Sequence, residues 1–305
     1  MSLLRPVLRG LYHHWYARRG QAARTRFRGA LDALRPVHRV EPYEAETHIL
    51  CGGAQAEMGL WSAWSLLRSA PEVKLYVHSD GSLDDGLPAQ WQRLLPDTVL
   101  VSRSSADELF SETIGSRFPR LGEWRRSFLL AAKLIDMHLF GECPTVMHMD
   151  TDVLYFTRPE ELLRHACGKD LGMAWCIDVS ENYYPPRQLA KAVFGDLELP
   201  PRLNSGVMAV PRLNEEWFER IDSYIAQGTA VPFPSYPWHA EQTIFAALAA
   251  QIGGKALPPA YGVASRLPER ELVCQHYVPY SVFRHRFFSA GLPTLLRNER
   301  RQSAS

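Results

Sequence analysis

Thr145-Val-Met-His-Met-Asp-Thr-Asp-Val-Leu-Tyr-Phe156 is the stretch whose reading decides the fold. An apolar run ends in two aspartates one residue apart, Asp150 and Asp152. In a strand, side chains at i and i+2 share a face. Both carboxylates therefore leave the strand's carboxyl end on one side, and Thr151 points away. Paired carboxylates at such an edge suit a hard divalent cation that also holds substrate phosphates.

Upstream of that stretch, strands and helices alternate. His48–Gly53, Val73–His78 and Thr98–Ser102 read as strands, Leu60–Ser69 and Leu87–Leu95 as helices. Gly122–Phe140 reads as one longer helix, with Trp124, Phe128, Ala131, Ile135 and Leu139 on its buried face. Thr145–Met149 is then a fourth strand. The order predicts an α/β fold with a mostly parallel, Rossmann-like sheet flanked by helices. Ligands of such sheets bind beyond the carboxyl ends of the strands. Downstream, Asp170–Ile177 and Gly206–Val210 read as strands and Asn182–Pro186 as a loop. Val231–Trp238 holds too much proline for a regular element, and a helix follows from Glu241 to Ala250.

A chain of 305 residues, 46% hydrophobic and 22% charged, can bury a substantial core as an ordinary globular protein. Its net charge of +1 hides an uneven layout. Residues 1–39 carry nine arginines, no lysine and one acid, Asp32, or about +8; the remainder is about −7. That balance argues against a nucleic-acid partner for the body. The division expected is a basic helical arm over 1–40, a catalytic domain over 41–290 and a polar tail over 291–305. Leu3, Leu4, Val7, Leu8, Leu11, Tyr12 and Trp15 recur at spacings of three and four in the arm. It reads either as an interfacial helix on anionic lipid or as a helix packed on the body. Five scattered cysteines with no CxxC pair read as reduced and buried, which points to a cytoplasmic protein. No apolar stretch approaches a membrane span, and no signal-peptide core opens the chain. Peripheral contact at the inner face of a membrane follows if the arm meets lipid.

The strand order and the aspartates together resemble glycosyltransferases of the GT-A fold, with the nearest likeness to glycosyltransferase family 8, over roughly residues 46–288. Met149-Asp-Thr-Asp-Val-Leu-Tyr155 resembles that family's DxD segment, and Leu203-Asn-Ser-Gly-Val-Met208 its Asn-Ala/Ser-Gly-Val segment. Trp238-His-Ala-Glu-Gln-Thr-Ile-Phe245 resembles its Asp-Gln-Asp helix start, with Glu241 where Asp is usual. Gln275-His-Tyr277 lies where the family has a metal-binding histidine.

The resemblance implies a sugar transferred from a nucleoside diphosphate sugar, usually a UDP-sugar, with Mn²⁺ or Mg²⁺ and retention of configuration. It implies Asp150, Asp152 and His276 at the metal, with Asp150 also near the ribose. Imidazole beside two carboxylates tilts the choice of ion towards Mn²⁺. By the same resemblance Asn204, Ser205 and Gly206 face the donor sugar, and Glu241 and Gln242 reach its hydroxyls or the reacting centre. Arg126 and Lys133, seven apart on one helix, are candidates to offset diphosphate charge. Family 8 has Gly and Lys where this chain has Pro279 and Val282; Arg284, His285 and Arg286 just beyond could substitute. If the enzyme inverts instead, Glu241 or His239 is the candidate base.

The acceptor, a glycan or a lipid-linked glycan precursor, would be shaped by loops 180–201 and 229–239. Two rival readings stand beside this one. Asp150-Thr-Asp-Val-Leu154 also fits the nucleophile segment of haloacid-dehalogenase-like phosphatases, with Asp150 as nucleophile, although three βα units precede it. A non-catalytic sugar-nucleotide-binding module would use Tyr183, Tyr184, Tyr236 and Trp238 to stack on sugar faces.

Overall fold

The computed structural model describes residues 18–184, 191, 193–228, 238–278 and 283–302. The apolar spacing read in residues 1–17, the stretch 231–237 with Tyr236, and Pro279 and Val282 lie outside them.

Among the described residues, ten strands form two sheets. The larger has the order β3-β2-β1-β4-β7-β6-β8. Its strands are β1 Ala45–Cys51, β2 Val73–Ser79, β3 Val99–Val101, β4 Thr145–Met149, β6 Met173–Ile177, β7 Leu203–Pro211 and β8 Gly254–Ala256. The first four pair in parallel; β7 runs antiparallel to both β4 and β6, and β8 pairs parallel with β6. The sheet is thus mostly parallel, as its alternating first half predicts. The smaller sheet, β5-β10-β9, joins Val153–Tyr155, Cys274–His276 and Tyr261–Val263. It was not anticipated: three-residue strands leave too few positions for a period of two to show.

Helices cover both faces. They are α1 18–28, α2 Ala56–Leu67, α3 Ala89–Leu94, α4 Arg103–Phe110, α5 Pro119–Ser127, α6 Ala131–Leu134, α7 Asp136–Leu139, α8 Glu160–Ala166, α9 Glu215–Gly228, α10 Trp238–Ile252, α11 Phe283–Arg286 and α12 Leu292–Gln302. One apolar layer is built on Trp61, Trp64, Leu66, Met147 and Phe287, the other on Leu121, Leu134, Met208, Ile221 and Phe245.

The single helix expected over 122–140 is three pieces. Helix α5 stops at Phe128, which is extended (φ −140°, ψ 108°). Arg125 Nε donates to buried Asp136 Oδ1 at 2.6 Å. Along an unbroken helix, residues eleven apart are separated by roughly 16 Å, beyond the reach of that pair. The ion pair therefore requires the chain to fold back between them. Arg126 and Lys133 consequently do not share a face: Arg126 is exposed on α5, while Lys133 is buried.

Both described termini pack against the body. The part of the basic arm described here packs on the body: Leu31 is fully buried, Ala23 and Phe27 rest on the core, and Arg24 Nε donates to Glu57 at 2.9 Å. The segment read as a polar tail is helix α12 over most of its length, with Leu292 and Leu295 fully buried. Apolar residues three apart on one stripe anchor it. Tyr183, offered as a stacking residue, is instead a core group whose hydroxyl donates to Pro200 O (2.5 Å) and accepts from Leu203 N (2.8 Å).

Candidate active site

Two antiparallel ladders assemble the site around the turn at Asp150–Asp152. Strand β4 pairs with β7 up to Met149 opposite Val207, and Asp150 N continues the ladder by donating to Gly206 O at 2.8 Å. This sets Asn204-Ser-Gly206 beside the first aspartate. After the turn, β5 pairs with β10, with Val153 opposite His276, and Tyr277 N donates to Asp152 O at 2.8 Å. This sets His276 beside the second. One ligand atom each from Asp150, Asp152 and His276 lie within 4.8 Å of one another.

His276 Nε2 is 3.1 Å from Asp152 Oδ1 and 3.5 Å from Asp150 Oδ2. The other ring nitrogen, Nδ1, is 2.9 Å from Asn204 Oδ1, which also accepts from Gly206 N at 3.0 Å. Asn204 Nδ2 donates in turn to Asp178 Oδ2 at 2.9 Å. Because the amide nitrogen is committed to Asp178, the amide oxygen faces the imidazole, so Nδ1 carries a proton, and Nε2, facing the two carboxylates, is the nitrogen that would exchange its proton for a cation. Burial disfavours the imidazolium, but Asp152 and Asp150 outweigh it and hold His276 above its ordinary pKa. For Asp152, burial opposes ionisation, and His276 and Arg284 overcome it; the carboxyl stays below its ordinary range. Two carboxylates and an imidazole nitrogen converging this closely fit a divalent ion that would displace the Nε2 proton.

Gly206 is glycine because of close approach. A Cβ there would lie 2.2 Å from His276 Cε1 and 2.9 Å from Asp150 Oδ2.

Lys133 enters from the break after α5. Its Nζ is 2.6 Å from Asp150 Oδ1, 3.5 Å from Glu241 Oε1 and 3.3 Å from Ser205 O. Glu241 Oε2 accepts from Ser205 Oγ at 2.9 Å. Burial pushes Glu241 up to about 7, with Lys133 pulling down and Asp150 adding to the rise. The folded-state value exceeds the ordinary 4.5, so the folded chain binds the extra proton. Stability from the neutral carboxyl is present at low pH and is lost as pH climbs from about 4.5 through about 7. Replacing the group removes this dependence. Between pH 5 and pH 8 the stability of Glu241→Gln relative to wild type should rise by up to about 3 kcal/mol. Urea unfolding of both proteins at the two pH values checks it; an unchanged difference would refute the burial argument.

These groups line a cavity of about 560 Å³ that also includes Gly52, Gln55, Asp80, Asp178, His239, Gln242 and Arg284. Asp150, Asp152, His276, Asn204, Ser205, Gly206, Lys133, Glu241, Gln242 and Arg284 are thus brought together. Arg126 is not among the lining residues. Arg284 Nη2 lies 3.7 Å from Asp152 Oδ2. Gln242 Nε2 is 3.5 Å from Asn182 O. Asp178 and Asp80 were not anticipated. The signal was present: β6 and β2, like β4, are apolar runs with an aspartate just past the carboxyl end.

No family model matches the chain, and no curated protein matches it. Among solved structures, similar ones include mouse xyloside xylosyltransferase 1 in its apo form, at 14% identity and a TM-score of 0.49, covering 78% of this chain and 98% of that one. The galactosyltransferase LgtC in complex with donor and acceptor sugar analogues is similar at 16% identity and a TM-score of 0.46, over 81% and 95%. The glycosyltransferase GlyE of Streptococcus pneumoniae TIGR4 is similar at 12% identity and a TM-score of 0.47, over 86% of this chain and 64% of that one. These are distant similarities of shape.

Proposed function

We propose that this chain is a metal-dependent GT-A glycosyltransferase of the family 8 type, which moves a sugar from a nucleoside diphosphate sugar to a hydroxyl of a glycan or lipid-linked acceptor. One observation carries the reading. Asp150, Asp152 and His276 converge within 4.8 Å at the carboxyl edge of a mostly parallel sheet, with His276 oriented by Asn204. A hard cation with carboxylate and imidazole ligands, open to a cavity of about 560 Å³, is suited to a diphosphate. The imidazole favours Mn²⁺ over Mg²⁺, and UDP is the nucleotide the family resemblance favours.

A bound divalent ion supplies charge stabilisation to the departing nucleoside diphosphate. The chain's own residues do the rest. Asp150, Asp152 and His276 Nε2 would hold the ion. Lys133, between Asp150 and Glu241, neutralises carboxylate charge that would otherwise repel phosphate. Arg284 adds a cation on the other side of Asp152. Ser205 and Lys133 orient Glu241, and Gln242 beside it presents an amide that can pair with sugar hydroxyls. Retention of anomeric configuration is the expectation that travels with the family resemblance. Peripheral contact of residues 1–40 with anionic lipid, at a cytoplasmic membrane face, would bring a lipid-linked acceptor to the cavity. Among the described residues no helix is long and apolar enough to cross a membrane.

Thermal unfolding with Mn²⁺ against UDP, GDP, CDP and dTDP and their sugar conjugates tests the reading. A rise in Tm of several degrees that needs both Mn²⁺ and one nucleotide is expected, because a ligand at 100 times its Kd adds about 2.7 kcal/mol. A flat response across the panel would reject the reading. A phosphoenzyme trapped on Asp150 would replace it with the phosphatase reading.

A further inference from the structure

Beside the metal-site cavity lies a second one of about 510 Å³, which shares Gln55 and Arg284 with the first. Helix α1 and helix α11 form its sides, and Arg18, Arg24 and Arg284 supply three guanidinium groups to it. None of its lining residues is acidic. Met58 and Phe288, both buried, make an apolar floor. Arg24 lies over the Phe288 ring, 5.6 Å from its centroid, and spends its Nε on Glu57 outside the cavity. Among the described residues the Arg24 Nη groups and the exposed Arg18 meet no acceptor. Arg284 stands at the junction, 3.7 Å from Asp152.

Guanidinium groups keep their charge at any working pH and present forked donors that match phosphate oxygens. Three of them above an apolar floor form a receptor for a phosphate ester rather than for a neutral sugar. The metal group on the far side of Arg284 already provides for one diphosphate. The geometry points to a phosphoryl-binding subsite at Arg18, Arg24 and Arg284 that holds a phosphate-bearing acceptor, distinct from the donor's diphosphate. This assignment of the acceptor class rests on the glycosyltransferase reading above; the phosphoryl chemistry of the subsite does not.

The test uses the full chain, stripped of divalent ions with EDTA and titrated with phenyl phosphate by calorimetry. Saturable binding is expected, weakened about tenfold or more in Arg18→Glu and in Arg24→Ala, because charge-assisted guanidinium–phosphate pairs are lost. Arg18 is exposed, so its variant tests the site even if Arg24→Ala unfolds. Equal binding by wild type and Arg18→Glu overturns the subsite. The titration is repeated with saturating Mn²⁺ and UDP, GDP, CDP or dTDP. Undiminished phenyl phosphate binding supports a second, phosphate-bearing substrate. Competition assigns the cavity to the donor's own phosphates and overturns the acceptor assignment. If none of the four nucleotides binds with Mn²⁺ while the dependence on Arg18 persists, the subsite stands and the glycosyltransferase reading falls.

Discussion

Asp152→Asn should lose about a thousandfold in Mn²⁺-dependent turnover while keeping the fold. Asp152 is nearly buried, and its carboxylate lies 3.1 Å from His276 Nε2 and 3.7 Å from Arg284. His276 and Arg284 keep it ionised against the cost of burial. The amide has the same shape but no charge, so one of the two anionic ligands of the proposed metal site disappears. In the proposed reaction, removing several kcal/mol of charge stabilisation from the departing diphosphate corresponds to about 10³ in rate. The fold should survive, because Asp152 contributes its backbone carbonyl, not its side chain, to the ladder with β10. Turnover as a function of Mn²⁺, with far-ultraviolet circular dichroism as control, is the measurement. Wild-type activity in this variant would sink the metal-dependent reading.

Arg212→Met should destabilise the fold by about 3–5 kcal/mol, the usual cost of stranding a buried charge. Glu46, on β1, has no exposed surface. Its Oε1 accepts from Arg212 Nη2 and lies 3.3 Å from His48 Nε2. Its Oε2 accepts from Glu142 N (3.0 Å) and Cys143 N (3.2 Å). Arg212 also donates to the carbonyls of His138, Phe140 and Cys143 at 2.7–2.9 Å, tying the end of β7 to the turn that precedes β4. Gly141 makes room for the carboxylate: a Cβ there would lie 2.4 Å from Glu46 Oε2. Methionine fills similar volume but leaves Glu46 without its cation. The urea midpoint should fall at unchanged slope. The double variant with Glu46→Gln should recover much of the loss, since no buried charge is then left unpaired. A single variant within about 0.5 kcal/mol of wild type would show that Glu46 is not held as a carboxylate by Arg212.

Several parts of this protein could be read from local sequence. Apolar runs that stop at polar residues marked β1, β2 and β4 within a few positions, because a buried strand shows itself in consecutive residues. Asp150 and Asp152 were legible for the same reason: the strand that delivers them ends where they begin. The basic character of the first 39 residues is a count, and needs no fold. Asn204-Ser-Gly206 and Glu241-Gln242 were found through the family resemblance of short motifs; propensity alone gives them no role.

The tertiary structure decided what depends on distant partners. His276 becomes a neighbour of Asp152 only through the β5–β10 ladder, which joins residues over a hundred positions apart. Asp178 matters because Asn204 crosses from β7 to meet it. Periodicity carried the 122–140 segment on as one helix, whereas the Arg125–Asp136 pair folds it back, turning Lys133 inward and leaving Arg126 in solvent. The last turns of the chain, polar by composition, form a helix because Leu292 and Leu295 find the core. Composition and local period set which segments can be strands or helices. Which carboxylates, cations and imidazoles share one cavity follows from ladder register and buried ion pairs, whose partners lie too far apart in the chain for any local pattern to record.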